Sequence, residues 1–117
     1  MDIYTAQYKY NGPDRMDITA KGNPSHILAP TWNMVNAVKA GKLSEWNYTI
    51  QYFSLITKRL FVGGSAVHEP FEQLLLIQDS ITFVCFCPPN TFCHRILAAR
   101  LLEEMGYGIY RGERVAA

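Results

Sequence analysis

Hydrophobic and polar residues alternate near the N-terminus and recur at helical spacing further along the chain. Residues 3–10, IYTAQYKY, alternate between two sets of side chains and are rich in Tyr, Ile and Thr, which predicts a β-strand. Residues 11–14 have the composition of a turn. Residues 16–20 fit a short second strand with Met16, Ile18 and Ala20 on one face. Together these segments predict a possible N-terminal hairpin.

The middle of the chain carries the signals of two helices. Thr31 is placed as the N-cap of the first, and Gly41 ends it. Ser44 is placed as the N-cap of the second, which should run to about Leu60. The predicted apolar face of that second helix, read at three- and four-residue steps, consists of Trp46, Ile50, Phe53, Ile56 or Thr57, and Leu60. A further short helix is predicted over residues 71–77.

A continuous apolar run, Ile81 to Phe86, predicts a strand that is covered on both faces. The run breaks at residues 88–90, and an amphipathic helix should follow, opening at Thr91 and stopping at Gly106. A last short strand is predicted over residues 107–111. This order predicts an α/β fold, a small three-layer open sheet that is mainly parallel, with three or four helices.

Composition limits the classes of protein to which the chain can belong. At 117 residues it is predicted to be one domain, residues 1–117, and its net charge of +1 gives no indication of nucleic-acid binding. No apolar run reaches the length of a membrane span, and the N-terminus lacks the pattern of a signal peptide. We therefore expect no membrane partner and a cytoplasmic location. The three cysteines are an odd number within nine residues, which favours reduced thiols over a secreted disulfide framework.

The predicted strand–loop–helix segment around residues 87–95 is the best candidate site. In open α/β sheets, ligands bind where the carboxyl ends of the strands meet helix N-termini. Asn90 or Thr91 would cap the helix and leave Cys93, His94 and Arg95 in its first turn. Free backbone N–H groups and the Arg95 guanidinium would favour an anion there. The same field would favour a thiolate at Cys93.

Chemistry at the cysteines is left open by the sequence. Cys93 or Cys87 could act as a nucleophile or redox centre, with His94 in proton transfer, whereas Cys85 is expected only to pack inside its strand. A metal site is not predicted from the spacing. Cys85 would lie one turn deep in the core, and Cys93 and His94, as neighbours on a helix, would point about 100° apart. No other cofactor is indicated.

The chain resembles domain-of-unknown-function family 488, the YeaO-like branch found in bacteria and phages. The resemblance rests on Val84-Cys85-Phe86-Cys87 followed by Phe92-Cys93-His94-Arg95, with softer similarity at the start of the chain and in its helical middle. The family has no settled activity, so the resemblance implies a site and not a reaction. It also implies that four N-terminal residues form the opposite wall of the pocket, namely Asp14, Arg15, Asp17 and Thr19.

Three functional hypotheses follow. The leading one is a module that binds an anionic small molecule, most simply a nucleotide, through Arg95. The second is a cysteine-dependent enzyme that uses Cys93 or Cys87. The third is a phage protein that binds a host factor through an aromatic surface.

Overall fold

A computed structural model describes residues 1–61, 78–87 and 92–114 of the chain. Within these residues the secondary structure consists of β1 (Asp2–Gln7), β2 (Arg15–Asp17), α1 (Trp32–Lys39), α2 (Glu45–Phe61), β3 (Ser80–Cys85), α3 (His94–Glu104) and β4 (Ile109–Arg114). The predicted α/β fold is confirmed. The predicted helix over residues 71–77 lies outside the described residues, and the three-layer expectation depends on that segment as well.

The described strands form one sheet of order β2-β3-β1-β4, and every pairing is parallel. The mainly parallel sheet is therefore confirmed, but β1 and β2 do not form the possible hairpin. β1 ends at Gln7, earlier than expected, because a turn follows in which the Tyr10 N–H donates to the Gln7 carbonyl. The chain then returns along the sheet, and β2 pairs with β3 in the same direction.

β3 lies between β1 and β2 and is the most deeply buried strand of the sheet. Ile81, Thr82, Phe83 and Val84 are fully buried, as expected for a central parallel strand covered on both faces. The strand ends at Cys85, however, and the side chain of Phe86 is 53% exposed. The carboxyl end of β3 is therefore one residue earlier than the apolar run predicted.

Helices α1 and α2 begin where their capping residues predict. The Thr31 hydroxyl accepts from the Met34 N–H, and the Ser44 hydroxyl accepts from the Asn47 N–H. Gly41, just past the end of α1, has a φ of 71°, a left-handed conformation that favours glycine. The predicted face of α2 was wrong at Trp46 and Ile50, which are exposed, whereas Ile56 and Leu60 are buried as predicted, together with Tyr48 and Tyr52.

Helix α3 begins at His94, later than predicted, and its N-cap is Cys93 instead of Asn90 or Thr91. Those two residues lie outside the described part of the chain. The end was correctly placed, since α3 stops at Glu104 and Gly106 follows with a φ of 85°. The last strand runs over residues 109–114, three residues further than predicted, and pairs with β1.

The three described helices and one face of the sheet share a continuous hydrophobic core. Ile3, Ile81 and Phe83 of the sheet pack with Tyr52 of α2 and Leu102 of α3 in this cluster. Because α3 connects β3 to β4, it crosses over β1, the strand between them in the sheet. The start of α3 is thereby held above the carboxyl end of β3, where the candidate site lies.

The opposite face of the sheet carries a polar cluster around Asp14. Its carboxylate accepts hydrogen bonds from Ser80 and Thr82 at 2.7 and 2.9 Å and forms an ion pair with Arg114. Burial alone would raise the pKa of Asp14, but these donors and the Tyr10 hydroxyl outweigh it and lower the pKa. The cluster therefore fastens the turn before β2 to the central strand.

No helix in the described ranges is both long enough and apolar enough to cross a membrane.

Candidate metal centre

Two cysteines and a histidine converge where β3 ends and α3 begins. The thiol sulfurs of Cys85 and Cys93 and a ring nitrogen of His94 all lie within 4.8 Å of one another, and the three residues are buried. The Cys93 sulfur lies 2.9 Å from that of Cys85 and 3.6 Å from His94 Nδ1. The Cys85 sulfur lies 3.8 Å from the same nitrogen. Two sulfurs and one nitrogen therefore face a single point.

The backbone at Cys93 explains why the Cys93 and His94 side chains do not point apart as the spacing predicted. Cys93 is the N-cap of α3, with an extended conformation of φ −160° and ψ 151°. The angle of 100° between neighbouring side chains applies only inside a helix, so it does not separate Cys93 from His94. Cys85 was also expected too deep in the core, but it is the last residue of β3 and borders a groove.

His94 is fixed by a hydrogen bond from the far side of its ring. Nε2 lies 2.9 Å from the carbonyl oxygen of Ile18, the residue that follows β2. A carbonyl can only accept, so Nε2 carries the proton and donates it, and Nδ1 presents its lone pair to the two thiols. Metal-binding histidines have this arrangement, with one nitrogen on the ion and the other on a backbone carbonyl or carboxylate.

Cys87 adds a third sulfur at the edge of the cluster. It lies two residues beyond Cys85, and the two sulfurs are 3.7 Å apart. Hydrogen bonds from Cys85 and Cys93 lower the pKa of the Cys87 thiol to about 3, although its partial burial opposes the shift. Cys93 is the donor in this network, and its pKa is raised by donating and by burial. The bond that Cys85 donates to Cys87 raises the pKa of Cys85, but its hydrogen bonds with Cys93 and His94 lower it overall. The cluster therefore favours the thiolate form at Cys87 and Cys85 over Cys93.

A groove with a volume of about 620 Å³ opens over the sulfurs. The cluster residues Cys85, Cys87, Cys93 and His94 form part of its lining. Its other walls are mostly apolar, and most of their residues belong to α1, the start of α2 and the loop after β2. The large apolar side chains are those of Trp32, Val35, Val38, Tyr48, Phe86 and Phe92. The remaining wall residues are Thr19, Ala20, Lys21, Lys39 and Glu45. The size is within the range of small-molecule sites.

Arg95 does not lie in the position that an anion site would require. Its side chain is fully buried, and Nε donates to Glu113 of β4 at 2.8 Å. Burial lowers the pKa of Arg95, but the hydrogen bond that it donates to Glu113 and the nearby Cys93 sulfur outweigh this effect and raise the pKa. Arg95 is also absent from the groove lining. The structure thus uses Arg95 to join α3 to β4.

The four N-terminal residues expected on the opposite pocket wall are only partly there. Thr19 lines the groove. Asp14 lies in the polar cluster on the other face of the sheet, and Arg15 donates to the carbonyls of Tyr8 and Tyr10. Asp17 accepts from the Thr19 hydroxyl at 2.7 Å and so shapes the loop after β2. That loop supplies the Ile18 carbonyl, which gives these residues an indirect connection to His94.

Sequence reasoning missed two parts of the site. The first is the Ile18 carbonyl, which no side-chain pattern could indicate because it is a backbone atom. The second is the position of α2 beside the cluster. The ring of Tyr52 in this helix lies 6.2 Å from the ring of His94, and the Tyr52 hydroxyl donates to the Leu28 carbonyl. The spacing of Cys85 and Cys87 could have indicated that their sulfurs lie close together, since residues two apart in an extended chain point to the same side.

Comparisons of the chain with protein-family models, with curated proteins and with solved structures gave no match. The resemblance to domain-of-unknown-function family 488 stays a prediction from sequence motifs.

Proposed function

We propose that this protein binds a thiophilic divalent metal ion, with zinc as the best fit, through Cys85, Cys93, His94 and Cys87. The observation that carries the proposal is the orientation of His94. Its Nε2–H is committed to a backbone carbonyl, and its free Nδ1 lone pair faces the thiols. In a neutral ring that donates through Nε2, the lone pair is on Nδ1, and here that nitrogen lies 3.6 Å from Cys93 and 3.8 Å from Cys85.

Three separations between ligand atoms fit a tetrahedral ion. Cys87 lies outside the group of atoms that are all within 4.8 Å of one another, so its sulfur would have to move closer to Cys93 or His94 on binding. Zinc bonds of about 2.3 Å to sulfur and 2.0–2.1 Å to nitrogen place two sulfurs about 3.8 Å apart and a sulfur and a nitrogen about 3.6 Å apart. The separation of Cys85 from Cys87 is 3.7 Å, and the two sulfur–nitrogen distances are 3.8 and 3.6 Å. The pair Cys85 and Cys93, at 2.9 Å, would have to open on binding.

The chemistry of the donors favours zinc over magnesium or calcium. Thiolate and imidazole are the ligands of zinc, whereas magnesium and calcium take oxygen. A set of three cysteines and one histidine is a recognised zinc combination.

The direct test is a zinc titration in competition with a chromophoric chelator, on protein freed of metal under reducing conditions. The native chain should bind one zinc ion. His94→Asn should weaken binding by more than about 100-fold, because the substitution removes a ligand and leaves the thiols in place.

A matched control is His26→Asn, since His26 is a partly buried histidine outside the groove lining. It should leave zinc affinity within a factor of about three. Stoichiometry below 0.2 zinc ions per chain, or equal losses in both variants, would reject the metal centre.

A second candidate function is cysteine-dependent catalysis by Cys87, the alternative that the sequence raised. The observation in its favour is location, since Cys87 is half-buried on the groove while Cys85 and Cys93 are buried. Alkylation of metal-free protein with iodoacetamide, followed by peptide mapping, tests it. Preferential labelling of Cys87 at neutral pH, faster than labelling of a free cysteine peptide, would favour the enzyme.

Other functional hypotheses stay predictions. Nucleotide binding loses its main argument because Arg95 is paired with Glu113. A host-protein partner could use the exposed Trp46 and Ile50, but no contact supports one. A cytoplasmic location agrees with three free thiols held close together, since oxidising compartments would favour their pairing.

A further inference from the structure

We propose that Cys87 is an exchangeable ligand of this metal centre and that an apolar thiol in the groove takes its place on the ion. The inference rests on the proposed metal binding. The groove would hold the apolar thiol, and the coordination position of Cys87 would be the one that the thiol occupies.

The other three ligands are each held by a separate part of the fold. Cys85 is the last residue of β3, opposite Gln7 of β1 in the sheet. Cys93 is the N-cap of α3, and its carbonyl accepts from the N–H groups of Ile96 and Leu97. The His94 ring is held by the Ile18 carbonyl. These three ligands are buried and would stay in place when the fourth changes.

Cys87 lacks this kind of support. It lies two residues beyond the end of β3, outside any helix or strand, and it is only half-buried. Cys87 lines the groove, as the other three cluster residues do, but it is the most exposed of the three cysteines. Zinc centres that react or bind exogenous ligands have three fixed protein ligands and one exchangeable position. The cluster matches that pattern.

The charge of the centre and the thiophilic character of the ion determine which chemical group can bind at the fourth position. Two thiolates and a neutral imidazole offset the charge of a divalent ion, and a third thiolate at the fourth position gives the centre a net charge of −1. Exchange of the Cys87 thiolate for another thiolate therefore leaves the charge of the centre unchanged. A thiolate is the preferred anion of a thiophilic ion. Lys39 on the groove wall places a positive charge on the same side.

The groove defines the body of the ligand. Trp32, Val35 and Val38 of α1 line it together with Phe92, and its volume is about 620 Å³. Such walls favour an aromatic or branched aliphatic group over a polar one. In the exchange, the bond from the metal to the Cys87 sulfur breaks and a bond to the incoming sulfur forms. The proton of the incoming thiol moves to Cys87, and nothing is oxidised or reduced.

Cobalt-loaded full-length protein provides the test, because sulfur-to-cobalt charge-transfer absorption reports the number of bound thiolates. Cys87→Ala should bind one cobalt ion with no more than about a tenfold loss of affinity and with reduced charge-transfer intensity. Cys93→Ala, which removes a fixed ligand, should lose more than about 100-fold. Benzyl mercaptan should restore the intensity in Cys87→Ala and bind at least about tenfold more tightly than 2-mercaptoethanol.

The native protein gives an independent readout that does not depend on the folding of a variant. Benzyl mercaptan added to the cobalt form should make Cys87 reactive toward iodoacetamide while Cys85 and Cys93 stay protected, as read by peptide mapping. Absence of cobalt binding by the native chain would reject the metal centre itself. Cobalt binding with uniform protection of all three cysteines, or equal losses in the two variants, would overturn only the exchange.

Discussion

A single backbone conformation at Cys93 decides whether the cluster can exist. In a helix, the Cys93 and His94 side chains would diverge, but the extended N-cap conformation turns the sulfur toward His94 Nδ1. The sequence predicted that the cysteines and the histidine lie near the junction of a strand and a helix, although β3 ends one residue earlier and α3 begins later than predicted. It could not reveal the cap, because Cys93 makes no side-chain capping hydrogen bond and is not a preferred N-cap residue.

At the residue scale, His26 predicts a pH dependence of stability. Burial lowers its pKa from 6.5 to about 4, and its Nδ1 accepts from the Leu28 N–H, so the folded protein holds it neutral. The unfolded chain binds a proton below pH 6.5, where the folded protein does not. The free energy of unfolding should therefore fall by about 2–3 kcal/mol as the pH is lowered from 6.5 to 4. Below pH 4 this group should cause no further change.

Urea unfolding of metal-free protein across this pH range measures the effect. His26→Asn retains an acceptor for the Leu28 N–H but does not titrate, so its stability should fall less steeply with pH. Parallel pH profiles for the native and variant proteins would exclude His26 as the origin.

At the scale of elements, the sequence located most helices and strands but not their pairings or exact ends. Caps at Thr31 and Ser44 and the glycines after α1 and α3 gave local signals, and these were confirmed. The parallel pairing of β2 with β3 was missed because it joins residues 67 positions apart. No local pattern reports such a contact. The orientation of α2 was missed because aromatic residues surround much of that helix.

The ion pair between Arg95 of α3 and Glu113 of β4 should contribute to stability and not to ligand binding. In Arg95→Met the Glu113 carboxylate, which has little exposure to solvent, loses this ion-pair partner. The substitution should therefore lower the free energy of unfolding by about 3 kcal/mol. Urea unfolding measures the loss.

The matched double variant, Arg95→Met with Glu113→Leu, removes both charges and should recover at least about half of that loss. Additive losses in the double variant would show that the pair itself is not the source. An unchanged stability in Arg95→Met would contradict the assigned role.

At the scale of the whole molecule, the metal centre joins parts of the chain that are distant in sequence. Its ligands come from the end of β3 and the start of α3, and the His94 ring is held by the residue after β2. The sequence predicted the α/β class and the edge of the sheet where the site lies. It could not predict that three elements meet there, because that depends on strand order.

Zinc should therefore stabilise the fold as a whole. At a free zinc concentration 1,000 times the Kd, binding contributes about 4 kcal/mol to the free energy of unfolding. For a domain of this size that corresponds to a rise in Tm of roughly 12–20 °C, measured by calorimetry with zinc and with a chelator. His94→Asn, with at least about a 100-fold weaker affinity, should show no more than about a third of the rise. An equal rise in both proteins would indicate zinc binding elsewhere.

The most direct test of the metal centre is X-ray absorption at the zinc edge of the loaded native protein. The structure predicts a first shell of three sulfurs at about 2.3 Å and one imidazole nitrogen at 2.0–2.1 Å. In Cys87→Ala the shell should contain two sulfurs and retain the imidazole. A first shell of oxygen and nitrogen alone in the native protein would contradict the account.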